Sequence, residues 1–253
     1  RDKLVTGVQT CALPIYSANY YASFSYAVGY AVSDSPLGPF TKYDGNPILQ
    51  ADAITTSGSG HNCLTMSPDG SEMFIVYHTH TDVHKPSGDR QVCADRLIIG
   101  EDGTLSANGP SLTRQPLPSG TDGLVDITAQ YAIGGSLSID AACLTDGLTA
   151  AGSDTVLIQE DGTIELKTDS PAALTQIWVY RGDDPDYTPG SVSVVINDAY
   201  VISDIPFDEG ENSPAVAVLS GLPEGEQVSS VKLYFSAGMN GSEITEIRLI
   251  SQQ

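Results

Sequence analysis

The stretch Tyr26-Ala27-Val28-Gly29-Tyr30-Ala31-Val32, followed by Asp34-Ser35-Pro36-Leu37-Gly38-Pro39, sets the architecture. The first run is rich in β-branched and aromatic residues and reads as a strand. The second is a Pro- and Gly-rich turn that ends it. The same grammar recurs downstream. Met73-Phe74-Ile75-Val76-Tyr77-His78 and the run from Arg90 to Ile99 read as strands. Turns are signalled at Asp44-Gly45-Asn46-Pro47, Ser67-Pro68-Asp69-Gly70 and Asp102-Gly103. Short strands, close turns and no helical periodicity predict an all-β region. Four-stranded blades of a β-propeller meet that description.

Composition shifts after Gln115 to Gly123, where two prolines and two glycines mark a linker. Beyond it the only basic residues are Lys167, Arg181, Lys232 and Arg248. Strands are expected over 163–168, 176–180, 191–197, 215–219, 230–235 and 244–250. Several alternate apolar and polar residues, as in Ser191-Val192-Ser193-Val194, which is the pattern of antiparallel strands with one buried face. A β-sandwich of jelly-roll type is therefore predicted for 125–253. No internal repeat links the two halves.

The bulk numbers agree. The 253 residues are 40% apolar and 17% charged, enough for a packed core, and the formal net charge is -21. Such a field repels nucleic acid and anionic membranes, and it suits neutral glycans. No stretch is long and apolar enough for a transmembrane helix. Val5 to Ile15 (VTGVQTCALPI) reads as the in-frame translation of a sequencing-library adaptor, so residues 1–15 are set apart as non-native and native sequence is expected from Tyr16. That leaves Cys63, Cys93 and Cys143, an odd number without CxxC spacing. Neither a zinc site nor a disulfide framework is indicated. Cys63 and Cys93 are placed as possible neighbours on adjacent strands, and all three as buried free thiols.

The order of short motifs resembles glycoside hydrolase family 43. Tyr26 to Ala31 is similar to a late-blade "AVGYA" strand, and Ser35 to Phe40 to the "SPLGPF" turn after it. Asn46-Pro47-Ile48-Leu49 continues the match. Gly58-Ser59-Gly60-His61-Asn62 looks like the "GxGH" segment. Val76 to His80 and Arg90 to Arg96 resemble the last blade, and Asn108 to Ser111 and Gln115 to Pro118 the closing strands. The resemblance covers 16–120. It implies the last blades of a five-bladed propeller from an enzyme that hydrolyses xylose- or arabinose-containing glycans with inversion. Inversion needs a general acid and a general base about 6.5–9.5 Å apart, and the family adds a third, pKa-tuning carboxylate. All three are expected upstream of Tyr16-Ser17-Ala18-Asn19, so no catalytic carboxylate is assigned to this chain. Asp34, Asp44, Asp69 and Asp82 read as turn formers.

The resemblance implies three substrate-binding candidates. His61 is expected in the central channel, where it contacts a structural Ca²⁺ directly or through water; a hydrogen-bonded buried histidine is the alternative. Arg90 is expected to reach sugar hydroxyls, which a guanidinium fork suits. Asn62 is placed near the channel. His78 and His80 share a strand face by alternation, but with His84 they lack a third ligand at matching spacing, and no transition-metal site is expected.

In the second half, Ala142 to Leu148 resembles the "LTDG" turn of discoidin-like, galactose-binding-like modules, and Ile244 to Ile250 their closing strand. This likeness makes Asp146 a candidate Ca²⁺ ligand and Trp178 a buried strand aromatic. Tyr187, Tyr200 and Phe207 are either exposed sugar platforms or ordinary packing residues. No organic cofactor is expected. The sequence-level reading is thus part of a secreted or periplasmic, monomeric glycosidase acting on plant cell-wall polysaccharide. The alternative is a non-catalytic carbohydrate-binding chain that acts through the sandwich.

Overall fold

The computed structural model describes residues 12–52, 55–85, 88–135, 141–149, 154–159, 162–182, 184–207, 214–236 and 241–252. Cys11 and most of the adaptor-like string lie outside them. The chain divides into two compact units. Unit 1 is Arg1–Met66 with Glu72–Leu112, and unit 2 is Ser67–Ser71 with Thr113–Gln253. All strand pairings are antiparallel, and the expected all-β class holds.

Unit 1 contains two four-stranded sheets. The first comprises β1 (Ile15–Ala18), β2 (Ala27–Val32), β3 (Thr41–Lys42) and β4 (Leu49–Gln50). The central strand β2 pairs with the other three. Ala12 bridges Ser33, and Ile15 pairs with Tyr30, so the end of the adaptor-like string takes part in this sheet. The second sheet runs in order β5 (Gly60–Met66), β6 (Met73–His80), β7 (Arg90–Ile99) and β8 (Leu105–Ala107). Both have the form of propeller blades, and neither closes on itself. Val28, Tyr30, Leu49, Ile75, Tyr77 and Leu97 form the shared core. Full burial of such a side chain is worth about 1.5–3 kcal/mol.

Polar side chains finish what the short strands cannot. Asn46 accepts from the Tyr30 N–H at 3.0 Å and donates to the Tyr30 carbonyl at 2.7 Å, acting as one more rung of the ladder. A Cβ at Gly29 would lie 2.8 Å from Asn46 Oδ1, which explains the glycine in the Ala-Val-Gly-Tyr-Ala strand. The buried Asp95 takes a 2.6 Å hydrogen bond from the Tyr77 hydroxyl and a 3.1 Å bond from the Ser111 N–H. Arg96 pairs with Glu72 at 2.6 Å.

Unit 2 is a two-sheet sandwich. Its strands are β9 (Leu124–Asp126), β10 (Ala132–Gly135), β11 (Val156–Ile158), β12 (Thr163–Ala172), β13 (Leu174–Arg181), β14 (Ser191–Ile196), β15 (Tyr200–Pro206), β16 (Ala215–Val218), β17 (Val228–Phe235) and β18 (Ser242–Gln252). One sheet has the order β10-β12-β17-β14-β15. The other is β11-β18-β13-β16, with β9 also on β18. The predicted alternation is real: Val192, Val194 and Ile196 of β14 face the core with Ile177, Val179, Leu233, Ile247 and Leu249.

The opposite face of β13 carries Trp178 and Tyr180, stacked with centroids 6.5 Å apart. Trp178 is buried as expected. The Arg114 guanidinium lies 5.4 Å from the Trp178 ring centroid, and the Tyr180 hydroxyl donates to the Arg114 carbonyl at 3.0 Å. Phe207 is in the core, and Tyr200 is partly buried against it, so neither is a sugar platform. Tyr187 is half-buried.

The cysteine reading needs correcting. Cys63, Cys93 and Cys143 are free, but Cys63 is exposed and Cys143 half-buried; only Cys93 is buried. Cys63 on β5 and Cys93 on β7 are separated by β6, so their strands are not neighbours. Cys63 sits on an edge strand with no partner on one side, and hence in solvent. Among the described residues no helix is long and apolar enough to cross a membrane.

Candidate functional site

Register brings the candidate residues of unit 1 together. Gly60 and Val92 flank His78 across the sheet, and His80 pairs with Arg90. His78, His80, Arg90 and Val92 therefore share one face of the β6–β7 ladder. A register shift between Gly60 and Cys63 interrupts the ladder at His61 and Asn62. His61 adopts φ 57, a left-handed conformation uncommon outside glycine. Its N–H donates to Ser17 Oγ at 2.8 Å, and Ser17 Oγ donates to Asn62 Oδ1 at 2.9 Å. Ser17, from β1, thus pins both candidates at once.

The His61 and His78 rings stack with centroids 5.9 Å apart, His78 and His80 are 6.5 Å apart, and Tyr26 lies 6.2 Å from His78. The flanking glycines make room for this group. A Cβ on Gly58 would lie 2.2 Å from His80 Cε1, and one on Gly60 2.3 Å from Tyr26 Cε1. His61 itself is exposed, so the buried-histidine alternative falls to His80, whose Nδ1 meets Ser57 Oγ at 2.9 Å.

Burial, then the positive charges of Arg90, His61 and His80, holds the His78 imidazole below its ordinary range. Burial and then Arg90 do the same to His80, with the Tyr21 backbone opposing. Both shifts favour the neutral imidazole, which offers one donor and one acceptor. His78 Nδ1 is buried without a hydrogen-bond partner among the described residues. Arg90 is exposed, with its guanidinium 5.4 Å from the Tyr21 ring centroid. The face is therefore rich in groups that bind hydroxyls.

Several carboxylates of this region are engaged locally. Asp69 is held well below the usual carboxylate range by hydrogen bonds from Ser119, Ser71 and Ser67. Asp82 pairs with Lys85, Asp102 holds Thr104, and Asp95 is sealed under Tyr77.

Asp146 lies in unit 2, just after the short 3-10 turn Ala142–Thr145. Its Oδ1 accepts from the Leu148 N–H at 2.8 Å, and the Gly147 N–H donates to Glu246 Oε2 at 3.2 Å. Beside this turn the buried Arg248 meets Asp126 Oδ2 at 2.6 Å and Glu246 Oε1 at 2.7 Å. Burial, only partly offset by Arg248, pushes Glu246 up to about 8. Asp126 is also pushed up by burial, but Arg248 and Thr128 bring it net below its usual range. This ion cluster was not legible in the sequence, because Asp126 and Arg248 are far apart along it.

Neither calcium candidate has a fitting donor set. Ca²⁺ takes 6–8 oxygens. His61 brings one imidazole beside a hydroxyl and an amide. At Asp146 the neighbouring carboxylates already face a fixed guanidinium. Among the described residues no group of three or more His, Cys, Asp or Glu is arranged to hold a metal.

Residues 15–105 match the family model for glycosyl hydrolases family 43. The Beta-D-galactofuranosidase xynD of Aspergillus niger is 34% identical over 91 residues, which are 36% of this chain and 26% of that protein. A solved thermostable family-43 glycoside hydrolase is 52% identical, with a TM-score of 0.40, covering 44% of this chain and 35% of its own. The F5/8 type C domain of a Bacteroides fragilis protein covers 52% of this chain and 98% of its own, at 14% identity and a TM-score of 0.41. The segment 15–105 thus resembles glycosyl hydrolases family 43, and a two-sheet β-sandwich follows it. The chain spans about a quarter of the curated relative's length and about a third of the solved glycosidase's.

Proposed function

We propose that this chain is part of a glycoside hydrolase acting by inversion on arabinose- or xylose-containing plant polysaccharides, and that it carries sugar-facing residues without the acid and base. The observation that carries this reading is the coincidence of the family match over 15–105 with the His61–His78–Arg90 face. Uncharged hydroxyls suit neutral imidazoles and a guanidinium fork. The net charge of -21 favours a neutral glycan over an anionic one. In this reading the parent protein is exported and monomeric, and the sandwich either binds glycan or braces the blades.

The chemistry needs a paired acid and base, and loss of either typically costs about 10²–10⁴-fold. The test is release of aryl alcohol from aryl arabinofuranoside, xyloside and galactofuranoside by the purified chain. No release above buffer is expected. Turnover that disappears in His61→Ala would show that carboxylates here do form a working pair. Retention on insoluble xylan or arabinan without hydrolysis would favour the carbohydrate-binding alternative.

A further inference from the structure

Unit 1 displays two exposed tyrosines where other tyrosines of the unit are buried. Tyr20 is 61% and Tyr21 48% exposed, against 2% for both Tyr30 and Tyr77. Single exposed aromatics are ordinary, but these two are organised. Their centroids lie 5.0 Å apart. The loop bearing them is tied by its own bonds: Asn19 Nδ2 donates to the Ser25 carbonyl at 2.6 Å, Ser23 Oγ to the Tyr20 carbonyl at 2.8 Å, and the Tyr26 N–H to the Ser23 carbonyl at 3.3 Å. The Arg90 guanidinium lies over the Tyr21 ring, 5.4 Å from its centroid. Its register neighbour Val92 is 79% exposed on the same strand face.

We propose that Tyr21, held under Arg90, is a stacking platform for a neutral sugar unit, so that unit 1 binds glycan through ring, guanidinium and imidazole together. This rests on the glycosidase reading of the same face. The chemistry is complementary at each point. A flat ring takes the C–H face of a furanose or pyranose, as aromatic side chains take other flat or apolar groups. The guanidinium of Arg90 beside the ring carries five N–H donors, a fork that vicinal hydroxyls can accept. His61 and His78 lie further along the face. The tied loop lowers the ordering cost on binding, because the rings are already placed.

The test is calorimetric titration of the chain with xylotriose and with arabinotriose, using wild type, Tyr21→Ala, Tyr21→Leu, Tyr21→Phe and His61→Ala. Tyr21→Ala and Tyr21→Leu are expected to weaken binding about three- to tenfold, the scale of one aromatic contact. Tyr21→Phe should stay within about twofold, because the flat ring is kept. Tyr21→Leu retains apolar bulk, so a lost affinity with unchanged thermal unfolding separates stacking from misfolding. Wild-type affinity in Tyr21→Ala and Tyr21→Leu, with loss in His61→Ala, would overturn the platform and leave the glycan reading of the face standing. Binding that none of the variants disturbs, or no binding of either sugar to wild type, would overturn both.

Discussion

In unit 2 two sheets close over a core running from Ile127 to Leu249, whereas unit 1 gathers Val28, Ile75 and Leu97 into a smaller core and leaves Leu64 and Val92 in solvent. The units also treat buried charge differently. Unit 2 buries the Arg248 guanidinium against its counter-ion Asp126 and beside Glu246, which burial pushes toward the protonated form. Unit 1 buries Asp95 and gives it the neutral donors of Tyr77 and Ser111, while His78 Nδ1 is buried with no hydrogen-bond partner among the described residues. Buried charge that is paired acts as a structural fastener. Buried polar atoms left open beside exposed donors are what a ligand face requires. Both units leave buried polar atoms without a hydrogen bond among the described residues, and the difference lies in their surroundings: beside the exposed His61 and Arg90 in the blades, within the Asp126–Arg248–Glu246 cluster in the sandwich.

The most severe way to break this comparison is Arg248→Met. Removing one partner of a buried ion pair leaves the others uncompensated, at a cost of about 3–5 kcal/mol. Chemical denaturation followed by Trp178 fluorescence reads it directly. A loss below about 1 kcal/mol would mean that the apolar core alone holds unit 2, and that the ion cluster is incidental.

Asp95→Asn tests unit 1 on the same terms. The neutral amide weakens a charge-assisted pair of bonds from Tyr77 and Ser111, a loss of about 1.5–3 kcal/mol. Hydrogen exchange over Phe74 to Leu97 should rise in the variant. Unchanged protection would show that the Tyr77–Asp95 contact does not secure this sheet.

The gentlest probe is pH. Glu246, ordinarily near 4.5, keeps its proton in the folded state up to about 8. Between these values the folded state binds more protons than the unfolded one. Its contribution is therefore fully present below pH 4.5 and is lost as pH rises through about 8. Denaturation at pH 5, 7 and 9 should show unit 2 losing stability with rising pH, and Glu246→Gln should flatten that trend. A Glu246→Gln slope equal to the wild-type one would remove Glu246 as its source.

Much of this fold was readable along the chain. The Ala-Val-Gly-Tyr-Ala strand, the Pro-Gly turns and the alternation in Ser191 to Ile196 each declare a local conformation through residue type and period. Val156–Ile158 was missed because it is three residues long and pairs with β18, far away in sequence, and Tyr200–Pro206 because, although it pairs with the adjacent β14, it buries no residue fully and shows no strict alternation. The same limit governed the site. His61, Asn62 and Arg90 were nameable because ordered motifs carry them, and Asp146 because a turn does. Ser17, which fixes both His61 and Asn62, carries no local signal at all. Phe207 was ambiguous until the core closed over it.

The sequence by itself determined the all-β class, the order of short strands and turns, and the motif order of 15–105 that resembles glycosyl hydrolases family 43. Those properties reside in local propensity, periodicity and motif order, which need no partner to be read. Only the tertiary structure decided that Arg248 is shared by Asp126 and Glu246, that Asp95 is sealed beneath Tyr77, and that Tyr21 lies under Arg90 beside the histidines. Each joins residues that strand register or sheet packing makes neighbours, and burial then sets their charge.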